Sequence, residues 1–189
     1  RASELSVFAR PSISVKLSAL HPRYEYPQRA RVLAELVPAV ISLARDAKLQ
    51  QIGMTIDAEE AERLELSLEL FARVRRDPDL AGWDGLGLAV QAYQKRARSV
   101  VGFVGALAHE TGTRIPVRLV KGAYWDTEIK RAQVQGLAGY PVFTKKAHTD
   151  VSYLACARAL LEAGERVYPM FATHNAHTIA WVSARAQSL

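Results

Sequence analysis

The segment Ile115-Pro-Val-Arg-Leu-Val-Lys121 decides the fold, because it is a short apolar run of β-forming residues that ends in a charge. An amphipathic pattern with helical spacing follows it, from about Asp126 to Val134. A buried strand that leads into a helix is the repeating unit of α/β folds. The segment therefore predicts one βα unit, and the same unit recurs on both sides of it.

Five further apolar runs are each followed by a pattern of helical spacing. These predicted strands cover residues 12–19, 51–57, 86–92, 142–146 and 167–173. The predicted helices that follow them include residues 33–44, 61–71, 100–108 and 154–161 and a last stretch from about residue 176. Six βα units predict one α/β domain over residues 1–189, with parallel strands and right-handed crossovers.

Two architectures are compatible with this alternation. One is a (β/α)8 TIM-type barrel of which about six units are present, and the other is a doubly wound open sheet. No G-x-G-x-x-G pattern follows the first predicted strand, which weakens the dinucleotide-binding version of the open sheet. The alternation of strands and helices alone leaves both architectures open.

Composition and charge exclude some classes of function. Hydrophobic residues make up 49% of the chain and charged residues 23%, which is typical of a globular domain. The net charge of +6 permits an anionic ligand, but the basic residues are dispersed, which argues against nucleic acid. Neither a signal peptide nor an apolar run of about 20 residues is visible, and Cys156 is the single cysteine. These features predict a cytoplasmic protein with Cys156 buried.

Polar residues end the predicted strands. They are Lys16, Asp57, Gln91, Arg118, Lys121, Thr144, Lys145, Lys146, Thr173, His174 and Asn175. In a barrel the carboxyl ends of all strands meet on one face, where the active site lies. Cations outnumber the one aspartate in this set, which favours an anionic ligand. Asp57 also fits a second interpretation, as the N-cap of the helix that follows it.

Three other chemistries find weaker support in the sequence. His174 and His177 have the spacing of a metal-binding pair, but no third ligand is evident, so no metal site is predicted. Lys16 or Lys121 on a barrel strand would suit a Schiff-base lyase, although no acid or base partner is apparent. No Gly-x-Ser-x-Gly turn is present for a serine nucleophile.

Six motifs resemble the proline dehydrogenase family, as found in the bacterial bifunctional proline utilisation proteins. They occur in the family's order and cover nearly the whole chain. The motifs are Ser14-Val-Lys-Leu-Ser-Ala-Leu-His-Pro-Arg-Tyr24, Asp57-Ala-Glu-Glu60, Gln91-Ala-Tyr-Gln-Lys95, Arg118-Leu-Val-Lys-Gly-Ala-Tyr-Trp-Asp126, Lys146-Ala-His-Thr-Asp-Val-Ser-Tyr-Leu-Ala155 and Phe171-Ala-Thr-His-Asn-Ala-His177.

The resemblance implies a distorted (β/α)8 barrel that binds FAD and oxidises L-proline to pyrroline-5-carboxylate by hydride transfer to flavin N5. Lys16 would pair with the proline carboxylate, and Tyr124 would pack against the substrate. Asp57 would belong to the same substrate-side network. Arg118 would lie beside flavin N5, with Gln91 at the pyrimidine edge of the ring. The cofactor would carry the redox chemistry while the protein orients it.

Further residues would hold the ribityl, phosphate and adenosine parts of FAD. They are Lys121, Gly122, Trp125, Thr144, Lys146, Thr173, His174 and Asn175. The family also has two more strands and a last helix with an adjacent arginine pair, which these 189 residues do not include. A barrel without activity is therefore an alternative expectation. The resemblance further implies a quinone electron acceptor and peripheral association with the inner face of the cell membrane, and it leaves the oligomeric state open.

Overall fold

The structure is a computed structural model that describes residues 6–189, so the first five residues of the predicted domain lie outside it. In that range five strands form one sheet, in which every neighbouring pair is parallel. They are β1 (Ser12–Val15), β2 (Gly53–Ile56), β3 (Leu86–Gln91), β4 (Ile115–Val120) and β5 (Val167–Phe171).

Seven α-helices accompany the strands within the same range. They are α1 (Leu17–Leu20), α2 (Arg29–Leu49), α3 (Leu64–Arg75), α4 (Ala97–Thr111), α5 (Trp125–Val134), α6 (Lys146–Glu162) and α7 (Ala176–Gln187). The predicted apolar face of α2 is confirmed, since Leu33, Leu36 and Val40 are buried at the predicted spacings of three and four residues.

The strands lie in the sheet in the order in which they occur along the chain. A doubly wound sheet reverses its strand order at a switch point, and no such reversal occurs within residues 6–189. Sequential parallel strands joined by helices are typical of a TIM-type barrel. The α/β class and the barrel architecture are thus confirmed, with the sheet open between β1 and β5.

The core lies between the sheet and the helices that cover it. All six residues of β3 are buried, as expected for the central strand of a parallel sheet that is covered on both sides. Val104 and Leu107 of α4 pack into this core. Cys156 of α6 is completely buried, as predicted, and burial raises the pKa of its thiol.

The predicted strand over residues 142–146 is wrong, so the described chain has five βα strands rather than six. Val142 forms only an isolated antiparallel bridge to Gln94, and β4 pairs directly with β5. The reason is local, because the Phe143 N–H donates to the carbonyl of Tyr93 at 2.8 Å in the loop after β3. Helix α6 then begins at Lys146. Two apolar residues are too few to form another strand of the sheet.

The first predicted strand is too long at its carboxyl end. Strand β1 ends at Val15, and Leu17 already starts the four-residue helix α1, with its side chain buried. Lys16 lies between them in an extended conformation. The chain therefore changes direction at Lys16, which lies just past the carboxyl end of β1 instead of inside the strand. None of the helices in residues 6–189 is long and apolar enough to span a membrane.

Candidate active site

A cavity of about 560 Å³ lies at the carboxyl ends of the strands. Its wall includes ten of the residues predicted from the sequence. They are Lys16, Asp57, Gln91, Arg118, Lys121, Gly122, Tyr124, Thr173, His174 and Asn175. They come from the ends of all five strands, because parallel strands direct their carboxyl ends to one side of the sheet.

A second cavity of about 370 Å³ adjoins the first and shares Lys121 and Gly122 with it. The remaining predicted residues, Trp125, Thr144 and Lys146, line this second cavity. The structure therefore brings all thirteen predicted positions around two connected cavities. Their individual roles remain predictions.

Arg118 connects three strands at the mouth of the larger cavity. Its guanidinium donates to the carboxylate of Asp57, which follows β2, and to Ser14 Oγ of β1 at 2.9 Å. An arginine held by a carboxylate keeps its charge and a fixed orientation. The interpretation of Asp57 as a helix N-cap is wrong. The turn Ala61–Arg63 is preceded by Glu60, and no side chain caps it.

Lys121 and Lys146 are held together by one carboxylate. Asp150 Oδ1 accepts from Lys121 Nζ at 2.5 Å, and Asp150 Oδ2 accepts from Lys146 Nζ at 2.7 Å. The two ammonium groups lower the pKa of the Asp150 carboxyl below its usual value. An ammonium that is paired to a carboxylate is a poor nucleophile, which weighs against a Schiff base at Lys121.

The Gln91 amide spans two of the loops around the larger cavity. Its Nε2 donates to the carbonyl of Glu59 at 2.8 Å, and its Oε1 accepts from the Ala123 N–H at 3.1 Å. The side chain is buried, with 4% of the residue exposed. Both bonds fix the orientation of the amide, leaving one N–H and one lone pair for a ligand.

Gly122 follows β4 and lies against an aromatic ring. Its φ angle is 141°, a backbone conformation that residues other than glycine rarely adopt. A Cβ built there would lie 2.6 Å from Tyr93 Cδ2 and closer still to Cγ and Cδ1. Only glycine therefore allows the turn after Lys121 to approach Tyr93, whose ring lines the second cavity.

The segment after β5 completes the wall of the larger cavity. Asn175 Oδ1 accepts from the Thr178 N–H at 3.0 Å and thereby caps α7, and Thr173 Oγ1 accepts from the Asn175 N–H at 3.1 Å. Lys16 also lines this cavity, and its ammonium group makes no hydrogen bond or ion pair within residues 6–189. Lys16 therefore presents a charge that no carboxylate of the described chain neutralises.

Several contributing residues were not predicted. Asp150 had no assigned role, although it lies four residues after Lys146, the spacing at which helical side chains meet. Ser14, Tyr93 and Thr149 were also missed. Tyr93 and Thr149 carry no charge and do not end a strand, so the only signal for them was their place inside the motifs that start at Gln91 and Lys146. Among residues 6–189, His174 and His177 belong to no cluster of three metal-binding side chains.

Comparison with known sequences identifies the family. A sequence model of the family described as Proline dehydrogenase matches residues 1–189. The chain belongs to the proline dehydrogenase family. It is 56% identical over 174 residues to the bifunctional protein PutA of Salmonella typhimurium, covering 92% of this chain and 13% of that protein. The PutA of Rhizobium meliloti is 58% identical over 174 residues, covering 92% of this chain and 14% of its own length.

Solved structures of this family have the same fold. A mutant of proline utilization A from Bradyrhizobium japonicum superimposes with a TM-score of 0.95 at 59% identity. That match covers 97% of this chain and 19% of the Bradyrhizobium chain. Proline utilization A from Bdellovibrio bacteriovorus matches with a TM-score of 0.89 at 31% identity, over 93% of this chain and 18% of that one. The chain thus spans less than a fifth of these relatives.

Proposed function

We propose that this chain forms the part of a flavoenzyme that binds FAD and oxidises L-proline to pyrroline-5-carboxylate, the first step of proline catabolism. One observation carries the proposal. Twelve residues from six separate motifs, together with Thr144, line two adjoining cavities at the carboxyl ends of the strands. This is the face on which barrels of this type hold their active sites. Membership of the proline dehydrogenase family supports the same conclusion.

The residues present fit FAD, an elongated molecule with two phosphates and two ring systems. The two cavities adjoin, and Lys121 lies in the wall that they share. Lys121 and Lys146 would hold the phosphates as paired cations. Trp125 offers exposed aromatic surface in the smaller cavity for the adenine. Arg118 and Gln91 would bind the edges of the flavin ring in the larger cavity.

The oxidation removes a hydride from a ring carbon of proline and a proton from its nitrogen. FAD, when bound, supplies the acceptor for the hydride. The unpaired ammonium of Lys16 binds the proline carboxylate, and Tyr124 limits where the proline ring can lie. Arg118 provides a fixed positive charge beside the acceptor, and Asp57 holds the guanidinium in place. The chain thus orients both reactants and stabilises the negative charge that the acceptor gains.

The proposed reaction would require a final acceptor for two electrons. We propose a quinone in this role, reached from the cytoplasmic side by peripheral contact with the membrane. The support is the family resemblance alone. We also propose that residues 1–189 act as one unit of a larger catalytic barrel, since the matched relatives are several times longer. Turnover with a soluble quinone in place of a dye would test the first of these proposals.

The test is proline-dependent reduction of a dye with FAD added, compared among matched variants. Lys16→Ala should raise the KM for proline about 10–100-fold, because it removes a charged hydrogen bond worth roughly 1.5–3 kcal/mol. Arg118→Met should lower kcat about 10²-fold or more by removing a fixed charge at the acceptor. The controls are Lys130→Ala and Arg166→Met, which alter exposed cations outside both cavities. Unchanged kinetics in both site variants would overturn the assigned roles.

A further inference from the structure

Glu128 is a buried carboxylate that lies outside the larger cavity but contacts two of the loops that form it. It is the fourth residue of α5, and only 3% of it is exposed. Its Oε1 accepts from the Ala61 N–H at 2.5 Å, across 67 positions of sequence. Its own N–H donates to the carbonyl of Tyr124 at 2.9 Å. One residue is therefore bonded to the loop after β2 and to the loop after β4.

Burying the Glu128 carboxylate costs desolvation free energy, which an apolar side chain at this position would avoid. Burial raises the pKa of the Glu128 carboxyl, and the Ala61 N–H and Arg131 oppose that shift. A leucine of similar volume would fill the same space without desolvating a charge. A buried carboxylate whose main partner is one main-chain N–H therefore favours an orienting role, because the hydrogen bond fixes direction as well as distance.

Neighbouring contacts hold the same turn in place. The Arg96 guanidinium donates to the carbonyl of Ala61 at 2.8 Å, so that this residue is bonded on both sides. Arg131, one turn beyond Glu128 on α5, forms an ion pair with Glu62. The turn Ala61–Arg63 begins four residues after Asp57. Two contacts, one buried and one partly exposed, thus connect α5 to the segment that carries Asp57.

These contacts connect two segments that form the wall of the larger cavity. Asp57 and Tyr124 both line it, and each lies within four residues of an atom bonded by Glu128. We infer that Glu128 is a positioning residue that holds the loop after β2 at a fixed distance from the loop after β4. This inference rests on the proposed function, since the wall that it sets is the proposed proline site.

The test compares variants that break the buried bond with one that preserves it. Glu128→Leu removes the acceptor. Ala61→Pro removes the donor at the first position of a turn, where proline is tolerated, and Glu60 before it already has the extended conformation that proline demands. Glu128→Gln keeps an oxygen that accepts from the Ala61 N–H. Glu62→Gln is the matched control, because it weakens only the partly exposed ion pair with Arg131 and leaves the buried bond intact.

The kinetic readout is the KM for proline, measured beside the Kd for FAD. Glu128→Leu and Ala61→Pro should each raise the KM about tenfold or more, since a displaced wall loses contacts with proline and about 1.4 kcal/mol of lost binding is a tenfold change. The double variant should be no worse than either single one. Glu128→Gln and Glu62→Gln should stay within about threefold of the parent protein, and the Kd for FAD should change less than the KM. A KM unchanged in Glu128→Leu, or raised equally in Glu62→Gln, would overturn the inference.

Hydrogen exchange supplies a readout that does not depend on turnover. In Glu128→Leu the amides of residues 57–63 and 121–125 should both exchange faster, whereas Glu62→Gln should leave residues 121–125 as they are in the parent. If Glu128→Leu accelerates neither segment, the inference is wrong whatever the kinetics show. If the exchange follows this pattern but the parent protein never reduces flavin with proline, the proposed function fails and the positioning role stands.

Discussion

Substituting Gly122 by alanine should disturb the turn between β4 and α5 more than any other glycine-to-alanine change in its neighbourhood. Two effects act together at this position. The backbone has a φ angle of 141°, which costs about 1–3 kcal/mol for a residue with a Cβ. The new methyl group would also enter the buried ring of Tyr93, and overpacking of this kind costs about 1–3 kcal/mol.

The two costs together predict a loss of about 2–6 kcal/mol from the free energy of unfolding. For a domain of this size each kcal/mol corresponds to roughly 2–4 °C in Tm. The Tm of Gly122→Ala should therefore fall by about 4 °C at the least. Since Gly122 lies in the wall shared by both cavities, the Kd for FAD should rise in the same variant.

The assay is thermal unfolding followed by circular dichroism, together with an FAD titration. Gly136→Ala is the matched control, because Gly136 has a φ angle of 61° but no atom within 4 Å of the position that a methyl group would take. It should lose only about 1–2 kcal/mol from backbone strain, with no change in FAD affinity. If Gly122→Ala and Gly136→Ala lose equal stability, contact with Tyr93 has no role and the reasoning fails.

Three further predictions concern stability at other positions. Gly102→Ala should raise the free energy of unfolding by about 0.5–1 kcal/mol, because Gly102 lies exposed in α4 with space for a methyl group; a lower Tm would contradict this. Arg75→Met should lower it by about 2–6 kcal/mol, since the buried guanidinium satisfies the carbonyls of Leu80 and Trp83; denaturant unfolding with a loss below 1 kcal/mol would count against it. Asp150→Asn should be less stable than the parent by a constant amount between pH 5 and 8. Because the folded-state pKa of Asp150 is lowered, that difference should shrink only as the pH falls below 3.8. Urea unfolding of both proteins across pH measures it, and a difference that already shrinks at higher pH would contradict this prediction.

The fold was largely predictable because its strands and helices have strong and separate periodicities. Four of the six predicted strands correspond closely to β2, β3, β4 and β5. The failure at residues 142–146 arises because an apolar pair beside Thr144 resembles a short strand. Its main chain instead pairs with the loop at Tyr93, a contact between distant positions that no local pattern reveals.

The candidate site was predictable where charged groups end strands, and less so where neutral or intervening groups shape the cavities. Arg118 and Asp57 were singled out by sequence, but their ion pair depends on how β2 and β4 lie in the sheet. Gly122 packs against the ring of Tyr93, which is a neutral residue from a different loop. Glu128 is a charged residue in a segment predicted as an amphipathic helix, where an acidic side chain is expected on the solvent face, so its burial could be learned only from the structure.

The account depends most on whether these cavities hold FAD in a position to receive a hydride from proline. The direct measurement is the visible absorbance spectrum of the purified protein with added FAD, recorded without oxygen before and after proline. The account predicts a protein-bound flavin spectrum that bleaches on addition of L-proline and persists with D-proline. Failure to retain flavin, or a retained flavin that proline leaves oxidised, would contradict it.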